Sequence, residues 1–257
     1  MPIAFTKYHG TGNDFVLIDN RQGIFDRSDT VLVAAMCSRR FGIGADGLIL
    51  LENHSDCDFT MVYFNADGNP SSMCGNGGRC IVHFAHQLGI IKNEARFMAV
   101  DGLHTATIEG DAVSLKMADV KAVKIAEAYC YLDTGSPHHV IFTEQIDAID
   151  IKKQGAAIRY GLYGDQGANV DYVEQIDSEN FKVRTYERGV EDETYSCGTG
   201  VTAVALAAYQ NKLTDLTRLK LHTPGGLLSV SFKEHNIGFT NIYLRGPATA
   251  VYTGLWD

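Results

Sequence analysis

Two spacings of apolar residues, alternating and helical, divide the first half of the chain into strands and helices. Stretches rich in β-forming residues and bounded by polar ones, such as "DFVLIDN", "LILLE" and "DFTMVYFN", predict strands. Helical spacing predicts one helix around Thr30–Arg39 and a second beginning near residue 75, whose end is marked by a glycine. The apolar positions of the second helix are Ile81, Phe84, Ala85 and Leu88, followed by Gly89. Three more strands are predicted after it: "RFMAV", "HTATIEG" and "AVSLKMA".

The second half contains predicted strands and helices in a similar order. A strand at "NFKVRTYE" precedes a predicted helix over Val201–Tyr209, and strands at "RLKLHT", "LLSVSF" and "NIYLRG" follow it. Strands outnumber helices, and many neighbouring strands are joined by links too short for a parallel crossover. We therefore expect an α+β fold with antiparallel-rich sheets wrapped around helices.

The two halves also match each other in sequence. "TGNDFVLI" (11–18) matches "TGSPHHVIF" (134–142), "GADGLILLE" (44–52) matches "GANVDYVEQ" (167–175), and "CGNG" (74–77) matches "CGTG" (197–200). All three matches have the same offset of 123 residues, which indicates an internal duplication. We predict two pseudo-symmetric domains, 1–120 carrying Cys74 and 121–257 carrying Cys197, with the last strand a candidate to pair with the first domain.

Composition narrows the choice of partner and compartment. The net charge is −9 and no run of Lys and Arg stands out, so we expect no nucleic-acid or membrane partner. The N-terminus resembles no secretory signal, and a cytoplasmic location is the default expectation. The six cysteines form no C-x-x-C pair and no H-E-x-x-H motif occurs, so we expect free thiols and no metal.

Both copies of the Cys-Gly motif place a cysteine at or just before the first turn of a predicted helix. The N–H groups there lack partners and carry partial positive charge, which would lower the pKa of a thiol and attract a carboxylate. The small residues that follow would let another molecule approach. A single such motif is more often a capping turn with a buried thiol. Two equivalent thiols facing each other across a cleft could remove a proton from one face of a carbon and deliver one to the other.

Seven motifs make the chain resemble the diaminopimelate epimerases nearly end to end: "HGTGNDFVLID", "GIGADGLILLE", "FNADGNPSSMCGNGGRC", "GSPHHV", "GANVDYVE", "YERGVEDETYSCGTG" and "TPGG". Proline racemases and PhzF-like isomerases share the fold but match these motifs less well. The resemblance implies a homodimeric enzyme without cofactor. It would interconvert L,L- and meso-diaminopimelate for lysine and peptidoglycan precursor synthesis.

The resemblance also implies roles for individual residues. Cys74 and Cys197 would be the paired base and acid, while His138 and Glu187 would tune the thiols. The implied substrate-binding residues are Asn13, Asn65, Gly75, Asn76, Asn169, Glu187, Arg188, Gly198 and Thr199. Taken alone, Glu187 and Arg188 could be a surface ion pair, His138 an ordinary loop residue and each Asn a turn residue.

Two positions depart from the family pattern. Gly47 stands where many members have Gln, and Ser136 stands where many have Asn. How the distal end of the substrate would be bound therefore stays open. Two other functions also stay open. One is a different enzyme of this fold, such as a proline-type racemase or a dehydratase. The other is a redox-responsive binding protein in which Cys74 and Cys197 form a regulatory disulfide.

Overall fold

The computed structural model describes residues 2–257, which form four α-helices, seventeen strands and one short 3-10 turn at Ile146–Ala148. The first elements are β1 Ile3–Gly10, β2 Asn13–Asp19, α1 Thr30–Cys37, β3 Gly47–Glu52, β4 Phe59–Asn65, α2 Gly75–Gln87, β5 Glu94–Ala99, β6 Gly102–Glu109 and β7 Ala112–Lys116. The rest are β8 Lys124–Ile125, β9 Cys130–Asp133, β10 Pro137–Phe142, α3 Ile151–Tyr163, β11 Asn169–Gln175, β12 Asn180–Glu187, β13 Asp192–Thr194, α4 Gly198–Gln210, β14 Arg218–Thr223, β15 Gly226–His235, β16 Gly238–Pro247 and β17 Thr249–Trp256.

The chain forms two compact units. One contains the residues up to Leu115 together with Gly246–Asp257, and the other contains Lys116–Arg245. The last strand, β17, pairs antiparallel with β1 and so lies in the first unit. The repeats inferred from the sequence, 1–120 and 121–257, remain a proposal about duplication, and they differ from the compact units in the placement of β17.

Both units pair their strands with the same sequence of directions. In the first, β2–β3 and β4–β5 are parallel, whereas β3–β4, β5–β6 and β6–β7 are antiparallel. In the second, β10–β11 and β12–β14 are parallel, whereas β11–β12, β14–β15 and β15–β16 are antiparallel. Each parallel pair has one of the four helices in its connection, because parallel neighbours need a long crossover. The fold is the predicted α+β class.

In each unit one helix is enclosed by strands and another lies outside. Helix α2 is buried from Gly75 through Ala85 and contacts β1, β2, β3 and β6. Helix α4 is buried almost throughout and contacts β9, β10, β11, β12, β14 and β15. Its four buried alanines, Ala203, Ala205, Ala207 and Ala208, let the surrounding strands approach closely. None of the helices between residues 2 and 257 has the length and apolar character that a membrane crossing requires.

The sequence pattern located most of these elements. Strand β12 covers the predicted "NFKVRTYE" residue for residue, and α4 extends the predicted Val201–Tyr209 by a few residues at its start. Gly89 follows the C-cap of α2 with a φ of 72°, as expected of a helix-ending glycine. Helix α3 was not predicted.

Candidate active site

A tight turn places Asn13 in the first unit. Thr11 and Gly12 connect β1 to β2 with φ angles of 51° and 88°, and Gly10 pairs with Asn13 across the turn. Two consecutive positive φ values are typical of a two-residue type I′ hairpin turn, and the glycine satisfies one of them without strain. The turn therefore fixes Asn13 at the first position of β2, at one edge of the sheet.

Cys74 is the N-cap of the buried helix α2, with extended backbone angles of φ −112° and ψ 125°. Its thiol donates to Asn13 Oδ1 at 3.5 Å, and Asn76 Nδ2 donates to the same oxygen at 3.2 Å. The structure thus brings three of the predicted residues together. Gly75, also predicted, is the first residue of the helix beside them.

A charged network orients the Asn13 amide. Asn13 Nδ2 donates to Asp46 Oδ2 at 2.6 Å, so its oxygen must face Cys74. Asp46 in turn accepts a hydrogen bond from Arg39, which also binds Asp14. Burial raises the pKa of Asp14, but hydrogen bonds from Arg39 and Lys7 outweigh it and lower that pKa to about 2. The Asp14 carboxylate therefore stays charged at neutral pH.

Asn65 lies at the same edge of the sheet as Asn13. It ends β4 opposite Gly47, which is itself paired with Phe15 of β2, and the residue is exposed. The structure also explains Gly47. A Cβ atom there would lie 2.5 Å from the ring of Tyr63 and 2.4 Å from the carbonyl oxygen of Phe64. The Tyr63 ring therefore occupies the space that the Cβ of any larger residue at position 47 would need.

Two of the glycines after Cys74 serve the packing of α2. A Cβ on Gly77 would lie 3.0 Å from Ile49 Cδ1, and one on Gly78 would lie 2.5 Å from Met73 Cε. The absence of a side chain at these two positions therefore serves the packing of the protein's own core. Our interpretation that the small residues let another molecule approach stays a prediction.

The second unit repeats the arrangement around Cys197. This residue is the N-cap of α4, with φ −121° and ψ 116°, and its Sγ lies 3.4 Å from the Thr199 hydroxyl. Thr199 Oγ1 lies 2.9 Å from His138 Nε2, and His138 Nδ1 lies 2.7 Å from Asp171 Oδ2. His138 and Asp171 are fully buried. The structure therefore connects His138 to the thiol through the hydroxyl of Thr199.

The pKa of Cys197 is shifted in the direction opposite to our expectation. Burial raises the pKa of the thiol well above its usual value, and the charges of Glu187 and Asp171 add to this effect. The Thr199 hydroxyl and the N–H of Gly200 act in the other direction but are weaker. The helix start thus does not overcome desolvation, and Cys197 is held as a thiol.

Asn169 begins β11 and organises the remaining predicted residues of this unit. Its Nδ2 donates to Ser136 Oγ at 2.9 Å, and its Oδ1 accepts the backbone N–H of Arg188 at 2.9 Å. The Arg188 guanidinium donates to Gln166 O at 2.7 Å and to Ser136 Oγ at 3.4 Å. Among residues 2–257 no carboxylate forms an ion pair with Arg188, so the guanidinium is oriented but its charge is not neutralised. Glu187 is the last residue of β12, directly before it.

Sequence reasoning missed two charged residues near the thiols. Asp171 lies in strand β11 between the buried residues Val170 and Tyr172, where its Oδ1 accepts a hydrogen bond from Thr185 at 2.7 Å. Arg79 lies in the buried helix α2 and is fully buried itself. Each could have been found as an ionisable residue flanked by residues that the pattern predicts to be buried, since charged residues are rarely buried without a role.

The other cysteines belong to the core or the surface. Within residues 2–257 no disulfide joins any of the six cysteines, and burial raises the pKa of Cys37 and of Cys80 to about 12. Cys130 is also buried, and Cys57 is half-buried. Within the described part of the chain no three His, Cys, Asp or Glu side chains are grouped so as to hold a metal ion.

Comparison with known proteins identifies the family. The diaminopimelate epimerase family model matches residues 5–123 and again 130–251, in agreement with a duplication. The diaminopimelate epimerase of Flavobacterium psychrophilum is 55% identical, over 96% of this chain and 97% of its own. That of Chlorobaculum tepidum is 46% identical, over 95% and 98%.

Solved structures of low sequence identity share the fold. A PhzF-family phenazine biosynthesis protein of Bacillus anthracis superposes with a TM-score of 0.82 at 13% identity, covering 100% of this chain and 99% of its own. A hydroxyproline epimerase of Agrobacterium vitis, with trans-4-hydroxy-L-proline bound, superposes with a TM-score of 0.71 at 14% identity, over 99% and 92%.

Proposed function

Because this chain belongs to the diaminopimelate epimerase family, we propose that it interconverts L,L- and meso-diaminopimelate, with Cys74 and Cys197 exchanging protons with the α-carbon. The observation that carries the proposal is the repeated geometry of the two cysteines. Each is the N-cap of a buried helix, and their φ and ψ angles agree within about 10°. Each also lies against polar side chains that the family resemblance assigned to the substrate or to thiol tuning.

Inversion at a carbon requires a base on one face and an acid on the other. The raised pKa of Cys197 supports its service as the acid, since its proton is present before the substrate arrives. The partner thiol, Cys74, would then act as the thiolate base. In the reverse direction the roles exchange, because the proton taken up by Cys74 becomes the proton to be delivered.

The α-proton of an amino acid is a weak acid, so the developing carbanion must be stabilised by fixed charges and donors. We propose that Arg188 binds the α-carboxylate through two hydrogen bonds, and that Glu187 binds the α-ammonium group. The unpaired guanidinium charge and its fixation by Gln166 and Ser136 support this role. The N–H groups of Gly75, Asn76, Gly198 and Thr199 at the two helix starts would add positive potential at the reacting carbon.

The asparagines would provide neutral donors and acceptors for the two amino-acid ends of the substrate. Asn13 and Asn76 lie against Cys74, which supports contact with the reacting end. Asn65 is exposed at the same sheet edge. Asn169 already bonds Ser136 and the backbone of Arg188, so part of its contribution is to orient Arg188.

Proton exchange tests the activity directly. In deuterated water, the protein should incorporate deuterium at the α-carbon of L,L-diaminopimelate and produce the meso isomer, as followed by NMR and chiral chromatography. Proline serves as the matched alternative substrate. Exchange on proline alone would replace the proposed substrate with that of a proline-type racemase.

We also propose a cytoplasmic homodimer, which rests on the family resemblance. Sedimentation equilibrium of the purified protein at micromolar concentration tests the oligomeric state. A mass near 56 kDa would support the dimer, since one chain is 28.1 kDa, and a mass of one chain would contradict it.

A further inference from the structure

Arg79 is a fully buried arginine in the second turn of α2. Its Nη2 donates to Thr11 Oγ1 at 3.1 Å and to Asn76 Oδ1 at 3.0 Å. Its Nη1 donates to Gly75 O and its Nε to Pro247 O, both at 3.4 Å. All four acceptors are neutral oxygens, so the guanidinium is hydrogen-bonded but its charge is not compensated.

A buried cation without an anion is costly, so its neighbours matter. No carboxylate forms an ion pair with Arg79 in the described residues 2–257. The ionisable groups whose charges act on Arg79 are the thiols of Cys80 and Cys74. Cys80 is completely buried, and burial raises its pKa to about 12, so it stays neutral at physiological pH. The thiolate of Cys74 is therefore the anion that this site can supply.

The second unit has no equivalent cation. Helices α2 and α4 begin 123 residues apart, so the position of Arg79 corresponds to Thr202. Thr202 is also fully buried, but its hydroxyl donates to Gly198 O at 2.9 Å within its own helix. The charges near Cys197 are the carboxylates of Asp171 and Glu187. The two helix starts thus have the same backbone and opposite electrostatic surroundings.

We propose that Arg79 is a positioning residue whose guanidinium orients Asn76 and supplies the buried positive charge that holds Cys74 as a thiolate. Its place in turnover depends on the proposed epimerase function, whereas the ionisation of Cys74 is a property of the free protein. Arg79 would thereby make the two cysteines unequal at rest, with Cys74 ready to take a proton and Cys197 ready to give one.

The amide of Asn13 opposes this ionisation. Asn13 Oδ1 accepts from the Cys74 thiol at 3.5 Å, and Asp46 fixes that amide in place, which favours the thiol. The groups on α2 act in the other direction, namely Arg79 and the helix-start N–H groups. A full charge inside a protein has a longer reach than one amide dipole, so we expect the guanidinium to decide the balance.

The test measures the pH dependence of alkylation at Cys74. Wild type, Arg79→Met and Arg79→Lys are treated with iodoacetamide between pH 5 and 10, and the Cys74 peptide is quantified by mass spectrometry, with half-buried Cys57 as an internal reference. The Met variant should raise the alkylation midpoint by at least one pH unit and slow alkylation at pH 7 about tenfold. The Lys variant keeps the charge and should recover most of the shift.

Arg159 offers a matched control. It is also largely buried, but it pairs with Glu191 through a 3.0 Å ion pair. Arg159→Met should leave the Cys74 midpoint unchanged. A folded Arg79→Met protein with the wild-type midpoint would overturn the proposal, because a purely structural arginine would affect stability and not the thiol.

A second measurement applies if Arg79→Met does not fold. Urea unfolding of wild type and Cys74→Ala is compared from pH 6 to 9. A thiolate stabilised in the folded state makes the advantage of wild type grow with pH up to about 8.5, the usual thiol value. A constant or shrinking advantage contradicts the proposal. Neither measurement uses substrate, so absence of turnover on diaminopimelate would refute the proposed function and leave this inference standing.

Discussion

The starts of α2 and α4 share their backbone and differ in their charges. Cys74 and Cys197 occupy the same N-cap position, each at an edge where two parallel strands begin. Around Cys74 lie neutral amides and the buried Arg79, whereas around Cys197 lie Asp171 and Glu187. Duplication has therefore preserved the geometry of the motif while the ionisable residues around it have diverged.

This difference suits a reaction that needs one base and one acid at a time. Two independent thiols in identical surroundings would share the same pKa. Even at a pH equal to that pKa, the states with two thiols or two thiolates would together be as populated as the productive mixed states. Opposite surroundings favour one mixed state before substrate binds. We infer that the fold places the two cysteines in equivalent backbone positions and that the neighbouring charges make their pKa values differ.

Replacing either cysteine should produce the largest effect. Serine is a far weaker acid than cysteine, so Cys74→Ser or Cys197→Ser should reduce epimerisation in both directions by about a thousandfold, within the range of general acid–base catalysis. A variant with one remaining thiol should still exchange the α-proton of the isomer that this thiol deprotonates. Chiral chromatography and deuterium incorporation separate inversion from exchange.

Cys57→Ser provides the control, because Cys57 is half-buried and its thiol donates to the backbone oxygen of Phe59. It should retain wild-type turnover. Full epimerisation by Cys197→Ser would contradict the two-thiol mechanism.

Replacing Arg188 should produce the next largest effect. Arg188→Lys keeps a positive charge but loses the two-pronged geometry that matches a carboxylate. It also loses the fixation by Gln166 and Ser136. We expect KM for L,L-diaminopimelate to rise about tenfold or more, with a smaller fall in kcat. Steady-state kinetics in both directions measure this, and an unchanged KM would place the substrate carboxylate elsewhere.

The sequence predicted the secondary-structure elements and the positions of the motifs better than it predicted the charges around the two cysteines. Strands such as β12 and the enclosed helices follow from local periodicity and turn residues, which act within a few positions of the chain. Helix α3 was missed because its apolar contacts are few and it contains Gly155, a weak helix former. In the structure that glycine lies against Tyr186, where a Cβ would be 2.4 Å from the tyrosine Cβ. Only the folded packing explains it.

The site residues were named from resemblance, but the direction of the Cys197 pKa was not predictable from the motif. A helix start lowers a thiol pKa only if the thiol stays near water. Burial of Cys197 depends on tertiary packing, and Asp171 approaches it from strand β11, more than twenty residues away in sequence. Such tertiary charge contacts leave no mark on the "SCGTG" pattern.

Neutralising Asp171 should produce a smaller change. Asp171→Asn keeps the size of the side chain but removes a negative charge near Cys197. His138 also loses its charged hydrogen-bond partner. The pKa of Cys197 should fall, because one of the two carboxylate charges that raise it is removed, and the thiolate population at a given pH should rise severalfold. The pH profile of kcat should shift to lower pH on the limb that reports the acid.

Thr185→Val is the matched control, because it removes a hydrogen bond to Asp171 at 2.7 Å without changing the charge. It should move the profile much less than Asp171→Asn. Equal shifts would mean that the geometry around Asp171, and not its charge, determines the pKa of the Cys197 thiol.

The smallest effect is one of stability, and it compares the two thiols within a single experiment. A group whose folded pKa is raised stabilises the protein below its unfolded pKa and loses that contribution as pH rises through its folded pKa. Cys197 is such a group, so wild type should lose stability relative to Cys197→Ala between pH 8 and 10, by at most about 1.4 kcal/mol per pH unit. Cys74, if Arg79 holds it as a thiolate, should show the opposite slope between pH 6 and 8.5. Urea unfolding of wild type and the two alanine variants over this range measures both. Slopes of the same sign would mean that the two helix starts are electrostatically alike, whatever the residues around them.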